Sequence, residues 1–333
     1  MQTVSVSIAN YCVPCHARCR YCLLCARGRA EGVEYDRSVA FYSRIRRELS
    51  TAHPDLPCHF YIGYCMDTPL LKEYIRFCRE TGSPSGKFLQ MNGFGFRTPA
   101  EMEHLMRQIR ACGVELIDLT FYGLREYHDR FAGRKGDYDL LLSMLRAANE
   151  VGLPVHISAP LIRENKDQAE GLLSALQPMR PQRISFFLPH SKGRGRTLMD
   201  QRLTKLEFEG LSDSVRAHFS TVPLHTEREW LEIGLSERGE KRALTAVLRP
   251  EEMDRLEEMD GPGLVSFLEK MDDGFLSRMP SAAALAAQYG DRTNEQLFRE
   301  RDLVLKWQQQ FMAREQPDLW DMRDETHHFS VLF

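Results

Sequence analysis

Three amphipathic helical segments in the first half of the chain each stop at a glycine, Gly82, Gly113 and Gly152, and a short apolar strand follows each within a few residues. Glycine past a helix end supplies the left-handed turn that redirects the chain. Repeated helix–glycine–strand units build a parallel sheet with helices on its faces. The strands read as Val4–Ile8, His59–Gly63, Lys87–Met91, Glu115–Thr120, Pro154–Ser158 and Ile184–Leu188. Helices fall near Ser38–Ser50, Pro69–Glu80 and Tyr138–Glu150. Another opens at the capping box Thr98-Pro99-x-Glu101 and ends before Gly113. Asn165-x-x-Gln168 reads as a cap for the next. Six units are too few for a closed eightfold barrel, so the expected fold is α/β, a partial (β/α)6 TIM-like barrel over 1–200. In such folds chemistry gathers at the carboxyl ends of the strands.

Beyond residue 200 the pattern turns mainly helical, and 201–333 is expected to form a helical region covering the barrel's open side. Thr204-x-x-Glu207 opens one helix and Thr221–Gly234 reads as extended. Helical patterns follow near 250–259, 262–272, 281–289 and 294–314. Leu297, Val304, Trp307 and Phe311 lie at helical spacing and read as core.

The nine cysteines narrow the chemistry. Five of them, Cys12, Cys15, Cys19, Cys22 and Cys25, fall within fourteen residues, and none lies beyond Cys112. A disulfide scaffold would be short and evenly stapled, so the crowded set reads as metal ligands. The N-terminus, MQTVSVSIANYC, lacks the basic and apolar regions of a signal peptide, and no apolar run is long enough to span a bilayer. The expectation is a cytoplasmic protein with no membrane partner. Forty-four Lys and Arg against 47 Asp and Glu, a net charge of −3, give no basic stripe and no expectation of nucleic acid.

Cys15-His16-Ala17-Arg18-Cys19-Arg20-Tyr21-Cys22 is a C-x₃-C-x₂-C element. Three thiolates at this spacing wrap one [4Fe–4S] cluster and leave its fourth iron without a protein ligand, the open position of a catalytic site. Structural zinc is the competing reading, since Cys12–Cys15 and Cys22–Cys25 have the C-x₂-C spacing. Its usual second pair, a dozen or more residues away, is missing. Cys12 and Cys25 are read as spare thiols, and Cys58, Cys78 and Cys112 as packing residues.

This element, with an aromatic residue before its last cysteine and after a first strand, resembles the radical S-adenosylmethionine (SAM) signature. Gly63-Tyr64-Cys65-Met66-Asp67 stands where that family has a Gly-Gly-Glu-Pro segment holding the SAM amino group. Only Gly63 matches, so binding there would rest on backbone carbonyls or Asp67. Met91-Asn92-Gly93 resembles the family's Thr-Asn-Gly. Leu119-Thr120-Phe121-Tyr122-Gly123, His128-Asp129 and Gly133-x-x-Gly136-x-Tyr138 resemble a pattern of the peptide-modifying branch. Gly193-Arg194-Gly195 resembles the Gly-Arg segment after strand six.

The resemblance implies SAM bound at the open iron and cleaved by one electron to a 5′-deoxyadenosyl radical. Tyr21, Gly63, Asp67, Asn92, Thr120 and His156 are then candidate cofactor contacts, with Arg183 beside them. Cys65 is a candidate catalytic thiol returning a hydrogen atom to substrate, or equally a small residue filling space. Tyr122 is a candidate for the substrate pocket or a core tyrosine. Arg27, Arg29, Arg194 and Arg196 are candidates for an anionic substrate or a flavodoxin- or ferredoxin-type electron donor, or ordinary surface arginines. His327 and His328 read as a polar tail. The substrate is expected to be a peptide or protein side chain. The alternatives are a small-molecule biosynthetic intermediate or, outside catalysis, a zinc- or Fe–S-binding module. The chain lacks the C-terminal cysteines that hold auxiliary clusters in peptide-modifying relatives.

Overall fold

The computed structural model of the chain describes residues 1–10, 15–22, 32–62, 67–219, 221–236 and 239–322. Its first half alternates β1 (Gln2–Asn10), α1 (Tyr35–Ala52), β2 (Cys58–Ile62), α2 (Leu71–Glu80), β3 (Phe88–Gln90), α3 (Pro99–Ala111) and β4 (Leu116–Thr120). It continues through α4 (Arg125–Ala132), α5 (Asp137–Glu150), β5 (Val155–Pro160), α6 (Ala169–Leu176) and β6 (Arg183–Phe187). Gly82, Gly113 and Gly152 all take left-handed φ, +73°, +87° and +66°, at the turns where the sequence places them. The Thr98–Glu101 capping box forms as expected.

The strands pair in parallel. β2 and β1 form one run and β3-β4-β5-β6 the other, with helices packed outside. Between the runs, the Ser83 hydroxyl donates to the Phe60 carbonyl. Side chains alternate by face. Val6, Ile8, Phe60, Ile62, Ile117, Leu119, Val155, Ile157, Ile184 and Phe186 bury outward against the helices. Gln90, Asp118, Thr120, His156, Ser158 and Ser185 alternate with them and line the lumen.

The C-terminal region holds α7 (Lys205–Glu209), α8 (Asp213–Arg216), β7 (His225–Thr226), α9 (Glu227–Ile233), β8 (Lys241–Val247) and α10 (Met253–Glu257). α11 (Gly261–Arg278), α12 (Ala282–Tyr289), β9 (Leu297–Phe298) and α13 (Glu300–Glu315) complete it. Four expectations are corrected here. Lys241–Val247, unassigned from sequence, is a seventh parallel strand laid along β1, Gln2 opposite Lys241 and Ala9 opposite Val247. The segment read as extended over Thr221–Gly234 contains α9 instead. A capping box explains it: the Glu229 N–H donates to the Thr226 hydroxyl at 3.2 Å, and the Glu229 carboxylate accepts the Thr226 N–H at 2.8 Å. The helix read over 294–314 begins only at Glu300, because Leu297–Phe298 pairs antiparallel with His225–Thr226. Asn165 caps no helix. Its amide donates to the carbonyls of Tyr122 and Pro160, and its Oδ1 accepts the Ile162 N–H.

Leu244, Ala246, Leu264 and Leu268 share the principal core with Val6, Ile8 and Phe60. A second core gathers Trp230, Phe275, Leu285, Phe298, Val304, Trp307 and Phe311, so three residues of the stripe expected on the last helix are buried there, while Leu297 lies on β9 and joins the principal core. Among the described residues no helix is long and apolar enough to cross a membrane.

Candidate active site

The Cys15–Cys22 loop is strapped down by its backbone. The N–H groups of Arg18 and Arg20 donate to the carbonyls of Ala132 and Phe131, 2.7 and 3.0 Å, which the end of α4 leaves without helical partners. The His16 N–H donates to the Gly93 carbonyl at 2.9 Å, and the Cys22 carbonyl accepts the Arg194 N–H at 3.1 Å. Gly133 makes the first contact possible. Its φ is +65°, and a Cβ there would stand 3.0 Å from Arg18 Cβ and 3.2 Å from the Arg18 carbonyl oxygen. The loop therefore bridges the exits of β3, β4 and β6.

Within it, the Cys22 N–H donates to the Cys19 carbonyl, closing a turn that carries two of the three sulfurs. Cys15 is exposed and the other two are half-buried. Burial pushes the Cys19 thiol well up. The Tyr122 hydroxyl works against this, and the Cys22 and Cys15 thiols add to it. Ligation must displace that proton. Among the described residues no three His, Cys, Asp or Glu side chains close round a single metal ion. The ligands of an iron–sulfur cube need not do so, since each thiolate takes a different iron. Three thiols on one short, pinned loop fit that group.

The Tyr122-to-Tyr138 segment forms a bracket beneath this loop. The Tyr122 hydroxyl donates to Cys19 Sγ at 3.0 Å. Its own N–H donates to His128 Nδ1 at 3.1 Å, and His128 Nε2 lies 3.1 Å from Asp137 Oδ2. The Asp129 carboxylate accepts the N–H groups of Gly136 and Tyr138, 2.6 and 2.9 Å. At 2% exposure, Tyr122 faces the cysteines rather than an open pocket.

Tyr21 packs edge-on to Tyr122, ring centres 5.6 Å apart, and against Phe131 and Phe187 at 6.0 and 6.4 Å. Burial pushes the Tyr21 phenol well up, with the Thr120 hydroxyl at the end of β4 pulling the other way. Asn92 uses both ends of its amide on the Thr120 backbone, donating to its carbonyl at 2.8 Å and accepting its N–H at 2.7 Å. Asp67 is engaged by the Arg97 guanidinium and the Gly95 N–H, with His16 Nε2 at 3.4 Å. Burial raises its carboxyl, but these partners outweigh it and hold the group below the usual range. Asn92 and Asp67 thus lace the loops of the barrel mouth together. Gly63, Cys65, Cys12, Cys25, Arg27, Arg29, His327 and His328 lie outside the described residues.

His156 sits one level deeper than Thr120. The register places Gln90, Asp118, His156 and Arg183 side by side across β3 to β6, and Thr120 beside Ser158 and Ser185 in the level above. Sequence reasoning passed over Asp118 and Ser158. The Ser158 hydroxyl donates to Asp118 at 2.8 Å. Burial pushes the Asp118 carboxyl up to about 6, with Ser158 pulling the other way. A lone carboxylate between Ile117 and Leu119 was the available signal, since an acid in a parallel strand faces the lumen or costs a great deal.

Residues 10–176, half of the chain, match the profile of the Radical SAM superfamily. A curated relative, Fe-coproporphyrin III synthase from Methanosarcina barkeri (strain Fusaro / DSM 804), is 25% identical over 134 residues, 40% of this chain and 32% of its own. Streptococcus suis SuiB, solved bound to its precursor peptide SuiA, superposes over 73% of this chain and 58% of its own, with a TM-score of 0.49 and 14% identity. The coproporphyrinogen III oxidase HemN of Escherichia coli does so over 92% and 89%, at 0.43 and 13%. The chain spans about a third of the curated relative it matches. With the profile covering the cysteine loop and strands β2 to β5, the chain belongs to the radical SAM superfamily, whose members use a [4Fe–4S] cluster and SAM.

Proposed function

We propose that this chain is an enzyme that holds a [4Fe–4S] cluster on Cys15, Cys19 and Cys22 and acts on a peptide or protein side chain. A cluster held by these three thiolates would supply the one electron for reductive cleavage of SAM, the chemistry through which a hydrogen atom would be taken from substrate. The protein's part is to position and to exclude. Tyr21 and Thr120 shape the mouth beside the cysteines. Asp67 and Asn92 hold the neighbouring turns. The level of Gln90, Asp118, His156 and Arg183 offers hydrogen-bond donors, an acceptor and a cation to whatever lies in the lumen. A cytoplasmic flavodoxin- or ferredoxin-type donor would supply the electron on the exposed Cys15 side.

The observation that carries the reading is the pinned three-cysteine loop at the carboxyl-terminal mouth of a parallel barrel with a polar lumen. The peptide substrate is supported by the Tyr122-to-Tyr138 pattern. Anaerobic reconstitution with iron, sulfide, SAM and dithionite should yield 5′-deoxyadenosine, and Cys15→Ala should abolish it. Zinc without labile sulfide in anaerobically prepared protein would sink the proposal.

A second reading, a small-molecule substrate, is favoured by the curated relative's name and by a cavity of about 780 Å³ lined by Trp230, Phe275, Met279 and Leu305. That volume is within the range of ligand pockets. Lys192 and Arg301 in its wall suit an apolar molecule bearing acid groups. Deuterium carried into 5′-deoxyadenosine from a labelled peptide, or from a labelled small acid, separates the two.

A further inference from the structure

We propose that the Tyr122 hydroxyl, donating to Cys19, sets the reduction potential of the cluster, with His128 and Asp137 as positioning residues behind it. The inference rests on Cys19 being a cluster ligand. Its geometry does not: the phenol oxygen lies 3.0 Å from Cys19 Sγ in the structure as it stands.

Each freedom of this tyrosine is removed. Its ring stacks on Phe131 and His128, centroids 4.6 and 5.0 Å away and planes within 29° and 27°, while Tyr21 meets it edge-on. Its carbonyl accepts from Asn165 at 2.7 Å and its N–H is held by His128, itself tied to Asp137. A hydroxyl fixed this firmly in an apolar cage has a strong hydrogen bond available to a thiolate. The reduced cluster carries one more negative charge than the oxidised one, so a donor to its sulfur stabilises the reduced form more and raises the potential.

Tyr122→Phe keeps the stacked ring and removes only the donor. With iron and labile sulfide contents equal to wild type, an EPR-monitored redox titration should give a more negative midpoint. An unchanged midpoint overturns the proposal. Phe131→Leu keeps the hydroxyl and only loosens the cage that aims it, so it should shift the midpoint in the same direction by less than Tyr122→Phe does; an equal or larger shift there would mean that packing and not the donor is responsible, and would also overturn it. Should the phenylalanine variant lose its cluster, a ring-fluorinated tyrosine at position 122 decides. It is nearly isosteric and a stronger donor, so the midpoint should move positive, and no movement counts against the proposal. Cys19→Ala separately tests the ligand reading, because full cluster retention there refutes the assignment of Cys19 whatever Tyr122 does.

Discussion

Asp118 is the side chain on which pH should act most directly. Burial raises its carboxyl from an ordinary 3.8 to about 6. A folded-state value above the unfolded one means that the folded chain binds this proton more tightly. The stability it contributes is complete below about pH 4 and is lost as pH rises through about 6. Asp118→Asn keeps an acceptor for Ser158 and carries no charge to bury. Two units correspond to about 3 kcal/mol. Urea unfolding should find the variant about 2–3 kcal/mol more stable than wild type at pH 8 and much closer to it at pH 4.5. A difference independent of pH would show that the carboxyl is not the cause. Gly133 acts by shape instead. Gly133→Ala should cost about 1–2 kcal/mol from its left-handed φ and, by pushing on Arg18, lower the iron retained per chain. Gly234→Ala shares the positive φ, +91°, but a Cβ there meets nothing within 4 Å. It should lose stability and keep its iron. Equal iron loss in both would remove the special role of Gly133.

At the scale of elements, β8 and the Tyr122-to-Tyr138 bracket depart most from what the sequence suggests. β8 opens with Lys241 and Arg242 and stands more than fifty residues beyond β6, so no local signal ties it to the barrel. Arg242 is instead neutralised by Asp272 and Asp273 of α11, at 3.1 and 2.5 Å. Leu244, 2% exposed, projects from this strand into the principal core. Leu244→Ala should cost about 2–4 kcal/mol in denaturant unfolding with an unchanged slope; a cost below 0.5 kcal/mol, roughly that of a surface change, would mean that the strand is peripheral. The bracket was legible as a motif. Its contact with Cys19 was not, because periodicity assigns a residue to a face and says nothing of what another loop brings to that face.

Across the whole molecule, the barrel sheet takes its first and last strands from distant parts of the chain. β8 satisfies the outer edge of β1 from Gln2 to Ala9, and α11 packs on α1. A chain cut after residue 200 would leave those backbone groups unpaired and part of the principal core uncovered. It is expected to lose its near-UV dichroism and melt without a sharp transition, and a cooperative melt would show that 1–200 stands alone.

The sequence by itself determined the βα order, the glycine turns, the Thr98 and Thr204 caps and the three cysteines on one loop. Each of these is written in residues close along the chain, where spacing alone fixes the local geometry. Tertiary structure decided that Asn92 and Asp67 serve the loops, that Ser158 rather than His156 stands level with Thr120, that Asp118 faces the lumen, and that β8 closes against β1. Those outcomes depend on register and on contacts between segments far apart in sequence, and no local pattern of residues encodes such a distance.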